Sequence, residues 1–158
     1  MRYGELADEP CSITRSLVVF GDRWTLLILK AAFAGVRRFN GFQAYLGISK
    51  GRLQDRLDRL VEHEILVKRP AATGAHEEYR LTEKGIAVYP ILMAFRNWGD
   101  AYMAPDGPPL RYAHRDCAGE AHTRLECDHC GKELTARDVA PEPGPGLIAH
   151  TGDGAVEQ

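Results

Sequence analysis

The sequence predicts a mainly α, α+β fold: a winged helix-turn-helix, followed by a small Cys-rich knuckle of the zinc-ribbon kind. Three observations predict it. Apolar residues recur at helical spacing up to His63, switch to two short strand-like runs around a Pro/Gly turn, then return to helical spacing. Positive charge is concentrated from Arg37 to Arg69, where eight basic residues face four acidic ones. Beyond Pro105 the apolar content falls away and a Cys-x2-Cys pair follows a His-x2-Cys pair.

Composition bounds the answer. The 158 residues carry 20 Lys and Arg against 22 Asp and Glu, but the sum hides an asymmetry. Met1 to Ala104 holds 15 basic and 12 acidic residues; Pro105 to Gln158 holds 5 basic and 10 acidic. A localised basic segment in a near-neutral chain points to a polyanion contact. The longest apolar stretches, Trp24–Leu29 and Val88–Phe95, fall well short of the roughly 18 residues of a membrane span, so no membrane partner is expected. Glu5, Asp8 and Glu9 stand where an export signal needs a basic start, which places the protein in the cytosol. Its four cysteines are then reduced and suited to metal or thiol chemistry rather than to a disulfide framework.

Taken in order, Ser12 caps a helix carrying Ile13, Leu17, Val18 and Phe20, stopped by Gly21. Asp22 caps a second with Trp24, Leu27, Ile28 and Ala31 on one face. Asn40–Leu46 is a third helix closed by Gly47. Ile48 and Ser49 introduce a fourth, Lys50–His63, whose Leu53, Leu57, Leu60 and Val61 form a single apolar stripe. Ile65–Arg69 and Glu77–Leu81 form a β-hairpin across Pro70–His76. Thr82 and Glu83 begin a long helix to about Met103, kinked at Pro90, with Ile91, Phe95, Trp98 and Tyr102 along one seam. Pro105 to Pro109 ends this 1–104 domain. A knuckle appendage occupies 105–140, and a tail over 141–158 has too little apolar content to fold.

In this order of elements the fourth helix fits a major groove of double-stranded DNA and the hairpin lies along the backbone. Projected around its stripe, that helix puts Gly51, Arg52, Asp55, Asp58 and Arg59 outward, with Lys50 and Gln54 on the shoulders. Arg52 is suited to guanine and Gln54 to adenine. Lys50, Arg59, Lys68, Arg69 and His76 are suited to phosphates, with Arg37 and Arg38 in the same basic segment. Ser49 is the expected cap, at a helix N-terminus that itself attracts phosphate. Arg56 lies nearer the buried stripe and serves either DNA or a salt bridge to a neighbouring acid.

The stretches Cys11-Ser-Ile-Thr-Arg-Ser-Leu, Gly21-Asp-Arg-Trp-Thr-Leu-Leu-Ile-Leu, Arg38-Phe-Asn, Ile48-Ser followed by Leu53-Gln-Asp-Arg-Leu, and Tyr79-Arg-Leu-Thr-Glu-Lys-Gly resemble the HxlR family of bacterial transcription regulators, relatives of MarR. The resemblance runs from Cys11 to about Gly99. It implies a homodimer on a pseudo-palindromic operator, with terminal helices at the dimer interface; we read the regulator as a repressor. The seam of Ile91, Phe95, Trp98 and Tyr102 suits that interface, and intramolecular core is its alternative. Some members sense electrophiles or oxidants through a cysteine at the place of Cys11. The helix dipole and Arg15 favour a thiolate there and Glu9 opposes it, while a small buried residue is the plainer role. No motif identifies a small-molecule effector.

His114 and Cys117, then Cys127 and Cys130, have the spacing of a Cys3His zinc site, with His122 and His129 as competitors for His114. Four protein ligands leave Zn2+ a structural role. A redox dithiol at Cys127 and Cys130, or an unliganded hairpin, are the alternatives. From another class of function, the main rival to DNA binding is a protein interaction module using the basic face and the knuckle. No Gly-rich phosphate loop or His-Glu-x-x-His suggests an enzyme.

Overall fold

The computed structural model describes residues 3–72, 74 and 76–147. Among these residues the named elements run in the order α1 (Tyr3–Asp8), α2 (Ser12–Phe20), α3 (Arg23–Phe33), α4 (Phe39–Leu46), α5 (Lys50–Glu62), β1 (Leu66–Pro70), β2 (Glu77–Leu81), α6 (Glu83–Ile86) and α7 (Tyr89–Tyr102). The two strands pair antiparallel, Leu66 opposite Leu81 and Pro70 opposite Glu77. This is the winged helix-turn-helix expected. Two compact units are separated between Phe95 and Arg96, within α7 and earlier than the composition change at Pro105.

In the first unit the apolar stripe of α5, Leu53, Leu57 and Leu60, packs with Ile28, Leu29 and Ala31 of α3, Phe42 of α4 and Ile48 of the turn. Leu66 and Tyr79 close the core from the hairpin. The Phe42 and Tyr79 rings meet edge to face at 6.3 Å, tying α4 to β2. Gly47 ends α4 in the left-handed region (φ 63°), so the chain turns within Gly47–Ser49 and α5 starts on a fixed heading. The face of α3 is rotated from the expected one: Thr25 is buried while Leu27 is 38% exposed.

Three other expectations are corrected. The helix α1 precedes the first expected one. Cys11, not Ser12, is the N-cap of α2. The long C-terminal helix is two helices: Pro90 has no amide to donate to Ile86, and it stands in the first turn of α7, where none is needed. Thr82 caps α6, its hydroxyl accepting from the Gly85 amide at 3.0 Å and donating to the Glu64 carbonyl at 2.5 Å. Gly85 is required there because a Cβ would collide with the Ile65 carbonyl. Of the expected tail, residues 148–158 lie outside the described residues.

Candidate nucleic-acid interface

The basic face is built on α5 and the hairpin. Ser49 holds the N-cap position with extended backbone, but its side chain makes no cap bond. The expected hydroxyl cap is not made, and the first-turn amides of α5 remain at a surface where Ser49, Lys50, Gly51 and Arg52 are all exposed. Amides in that position suit an external anion such as phosphate. Among the described residues no hydrogen bond or ion pair engages the side chains of Arg37, Lys50, Arg52 or Arg69. These four cations project into solvent.

Asp58 organises the remaining polar groups. One carboxylate oxygen accepts from Gln54 Nε2 at 2.8 Å and the other meets Lys68 Nζ at 3.1 Å. Lys68 also stands 5.6 Å above the centre of the Tyr79 ring. The Gln54 amide, first, and Lys68, second, hold the Asp58 carboxyl below the ordinary carboxylate range. Asp58, in turn, raises the Lys68 ammonium above its ordinary value. Gln54 and Lys68, assigned to a base and a phosphate, are thus joined through one carboxylate that connects α5 to β1. Its i, i+4 spacing from Gln54 was the available sequence signal.

Other basic residues are committed inward. Arg59, expected on phosphate, donates from Nη2 to the Val18 carbonyl at 2.7 Å and anchors α5 to α2. Between its two expected roles, Arg56 takes the salt bridge, with Nε 3.2 Å from Asp22 Oδ1. That oxygen also accepts from the Trp24 amide at 2.8 Å and so caps α3. Glu78 faces both Arg38, at 3.7 Å, and Arg80, at 2.9 Å. The Tyr79 amide donates to the Arg37 carbonyl at 2.8 Å, lacing the segment before α4 to β2. Asp55 is exposed on α5, and His76 is exposed at the hairpin end, its carbonyl accepting from Ala71.

The model of the HxlR-like helix-turn-helix matches residues 19–107. The chain belongs to the HxlR family. An uncharacterized HTH-type transcriptional regulator of Mycobacterium tuberculosis, Rv3095, is 46% identical over 87% of the chain and 89% of its own length. The crystal structure of PA1607, described as a candidate transcription factor, superposes with a TM-score of 0.81 at 39% identity, covering 89% of this chain and 99% of that one. The reduced form of YodB from Bacillus subtilis superposes with a TM-score of 0.52 at 30% identity, over 60% of this chain and 96% of that one. As an HxlR chain, this protein is a transcriptional regulator built on a helix-turn-helix DNA-binding fold. Among the described residues no helix is long and apolar enough to cross a membrane.

Outside the basic face, Ile91, Phe95, Trp98 and Tyr102 of α7 are 42, 61, 57 and 75% exposed, so none of the four is core. The Trp98 and Tyr102 rings meet one turn apart, tilted by 42° with centroids 5.5 Å apart. Cys11 is exposed rather than buried. The Thr14 hydroxyl, then the Thr14 and Ile13 amides at the start of α2, hold its thiol below the ordinary value, against the opposing Glu9 carboxylate. The four residues expected to bind metal lie as two separate pairs. His114 Nδ1 is 3.2 Å from Cys117 Sγ, and Cys127 and Cys130 share the turn closed by the Gly131 amide on the Cys127 carbonyl at 2.8 Å. Among the described residues no three His, Cys, Asp or Glu side chains are gathered for one metal. Spacing of i, i+3 joins donors within one turn and does nothing to join one turn to the next.

Proposed function

We propose that this regulator binds as a homodimer to an inverted-repeat operator and represses transcription from it. The observation carrying this reading is the unpaired Arg52 at the exposed leading turn of α5, beside a Gln54 already oriented by Asp58. A guanidinium there can offer paired donors to guanine, while Lys50, Lys68 and Arg69 serve the flanking phosphates. The exposed seam of α7 supports a second copy as partner, because a contiguous apolar patch marks an interaction site and two-fold pairing of identical chains is the commonest closed assembly. Such a dimer presents two α5 helices about one DNA turn apart.

A thiol switch at Cys11 is part of the proposal. It is favoured by the lowered thiol at an exposed helix N-terminus. Among the structural relatives are a redox regulator, HypR, in its reduced form (TM-score 0.53, 26% identity) and quinone-bound YodB (TM-score 0.50, 27% identity).

The test is selection of genomic DNA fragments by the purified protein at two salt concentrations, with and without a quinone. Enrichment of one inverted repeat, weakened steeply by salt and lost on quinone treatment except in Cys11→Ser, is the expected result. Enrichment that quinone leaves unchanged removes the switch and keeps the regulator. Absence of any sequence preference would sink the operator reading and turn attention to a protein partner for the basic face.

A further inference from the structure

The Cys-rich segment repeats its own backbone. Tyr112–Ala121 and Leu125–Leu134 follow one course thirteen positions apart. At the base of each turn, Ala121 donates to Tyr112 and Leu134 to Leu125, both at 2.8 Å. One step inward come the bridges Ala113 to Glu120 and Glu126 to Glu133. Next, the His114 amide donates to Gly119 at 2.7 Å and the Cys127 amide to Lys132 at 3.0 Å. At the tip, Ala118 donates to His114 and Gly131 to Cys127, both at 2.8 Å, from residues in the left-handed region (φ 57° and 68°). In this register His114 coincides with Cys127 and Cys117 with Cys130. Two equivalent turns therefore present two donors each, an imidazole and a thiol in the first and two thiols in the second.

Apolar packing does not account for this regularity. From Pro105 to Leu147 no described residue is buried, and only Tyr112, Cys127 and Leu134 are even partly covered. The first turn is held by Arg96, which meets Glu120 at 2.7 Å, the Ala121 carbonyl at 2.9 Å and the face of Tyr112. The second has an exposed pair, Arg124 with Glu133 at 3.2 Å. Segments this small and this open are ordinarily cross-linked by disulfides or metal. The donor chemistry favours metal: His114 turns Nδ1 toward Cys117 Sγ while its Nε2 stands 3.6 Å from Asp116 Oδ2. A carboxylate behind the second ring nitrogen is the usual support of a metal-bound histidine.

We propose that the two turns are halves of one structural zinc site, with His114, Cys117, Cys127 and Cys130 as its four ligands. The four Cα-to-Cα steps from Ala121 to Leu125 span at most about 14 Å, so the turns can close on a single ion. Closure expels three thiol protons and leaves a tetrahedral Zn2+ with three thiolates and one neutral imidazole, carrying one net negative charge. No coordination position remains for water, and the ion serves the fold of this segment.

The test uses the full-length chain, purified under reducing conditions and reconstituted with Zn2+ and, separately, with Co2+. One equivalent of zinc per chain is expected, with a tetrahedral cobalt–thiolate spectrum. Cys117→Ser, Cys127→Ser and Cys130→Ser should each weaken zinc binding by on the order of 100-fold or more in competition with a chromophoric chelator. His114→Cys should retain one equivalent and shift the cobalt spectrum toward four thiolates, which shows that the segment still folds. Cys11→Ser should bind as the wild type does. A wild-type chain that takes up no zinc overturns the site, as does a His114→Ala chain that holds zinc as tightly as the wild type.

Discussion

Asp58 on α5 and Lys68 on β1 stand 3.1 Å apart, and the same carboxylate holds Gln54. Both partners are substantially exposed, the lysine side chain by 35% and the aspartate by 52%, so the pair contributes under about 1 kcal/mol to stability. Its larger effect is on position. Asp58→Asn should leave thermal unfolding nearly unchanged and free Lys68 for phosphate. Non-specific DNA affinity should then rise, with a salt slope steeper by about one. An unchanged slope would show that Lys68 does not reach the DNA.

The pair also sets a pH expectation. The Asp58 carboxyl is depressed, so its contribution is full above the ordinary carboxylate range and lost as pH falls through its lowered value. The Lys68 ammonium is raised, so its contribution is full below the ordinary lysine range and lost as pH climbs through its raised value. Stability of wild type relative to Asp58→Asn should therefore be flat across the neutral range and fall away only at the acid and alkaline ends. Urea midpoints measured across pH would reveal a mid-range step if this assignment were wrong.

Arg52 and Lys68 should separate specificity from affinity. Arg52→Ala should cost about 1 to 3 kcal/mol at one base position of the operator, while Lys68→Ala, made in the Asp58→Asn background where Lys68 is free of its carboxylate, should weaken all sequences alike and lower the salt slope by about one. Titrations against a panel of single-base operator variants distinguish the two. Equal losses on every sequence for Arg52→Ala would remove it from base readout.

At the foot of the hairpin, Gly85→Ala drives a methyl into the Ile65 carbonyl. The expected cost is about 1 to 3 kcal/mol. Thr82→Ala removes the cap of α6 and the bond to the Glu64 carbonyl, for about 1 to 2 kcal/mol. Chemical denaturation measures both, and an unperturbed Gly85→Ala would mean that α6 can shift away from the hairpin.

On α7, Phe95→Glu should raise the dimer dissociation constant by roughly 30-fold or more, in line with loss of a central aromatic anchor of at least ~2 kcal/mol. Sedimentation across a concentration series provides the measurement. A variant that sediments like the wild type would place the interface elsewhere.

Much of the fold was legible because its signals are local. The stripe of α5 repeats cleanly, Gly47 stops α4, and Pro70 to His76 can only turn. The exposed charges Lys50 and Arg52 followed from that stripe alone. What could not be read depends on partners distant in sequence. Arg59 points inward because the Val18 carbonyl, 41 positions away, accepts a hydrogen bond from its guanidinium. Arg56 is held by an acid that also caps another helix. Pro90 breaks the helix rather than bending it, with Val88 buried in the core at the break. Cys11 takes the cap position because the chain enters α2 one residue earlier than hydroxyl preference suggests.

The bare aromatic seam on α7 has a genetic consequence. If copies find one another through Phe95, Trp98 and Tyr102 while reading DNA through Arg52, the two capacities are separable by mutation. An allele crippled at Arg52 but intact along α7 would still pair with sound chains and draw them into mixed assemblies with one working half-site. Such an allele should be dominant over the wild type in a merodiploid, whereas one damaged at Phe95 should be recessive.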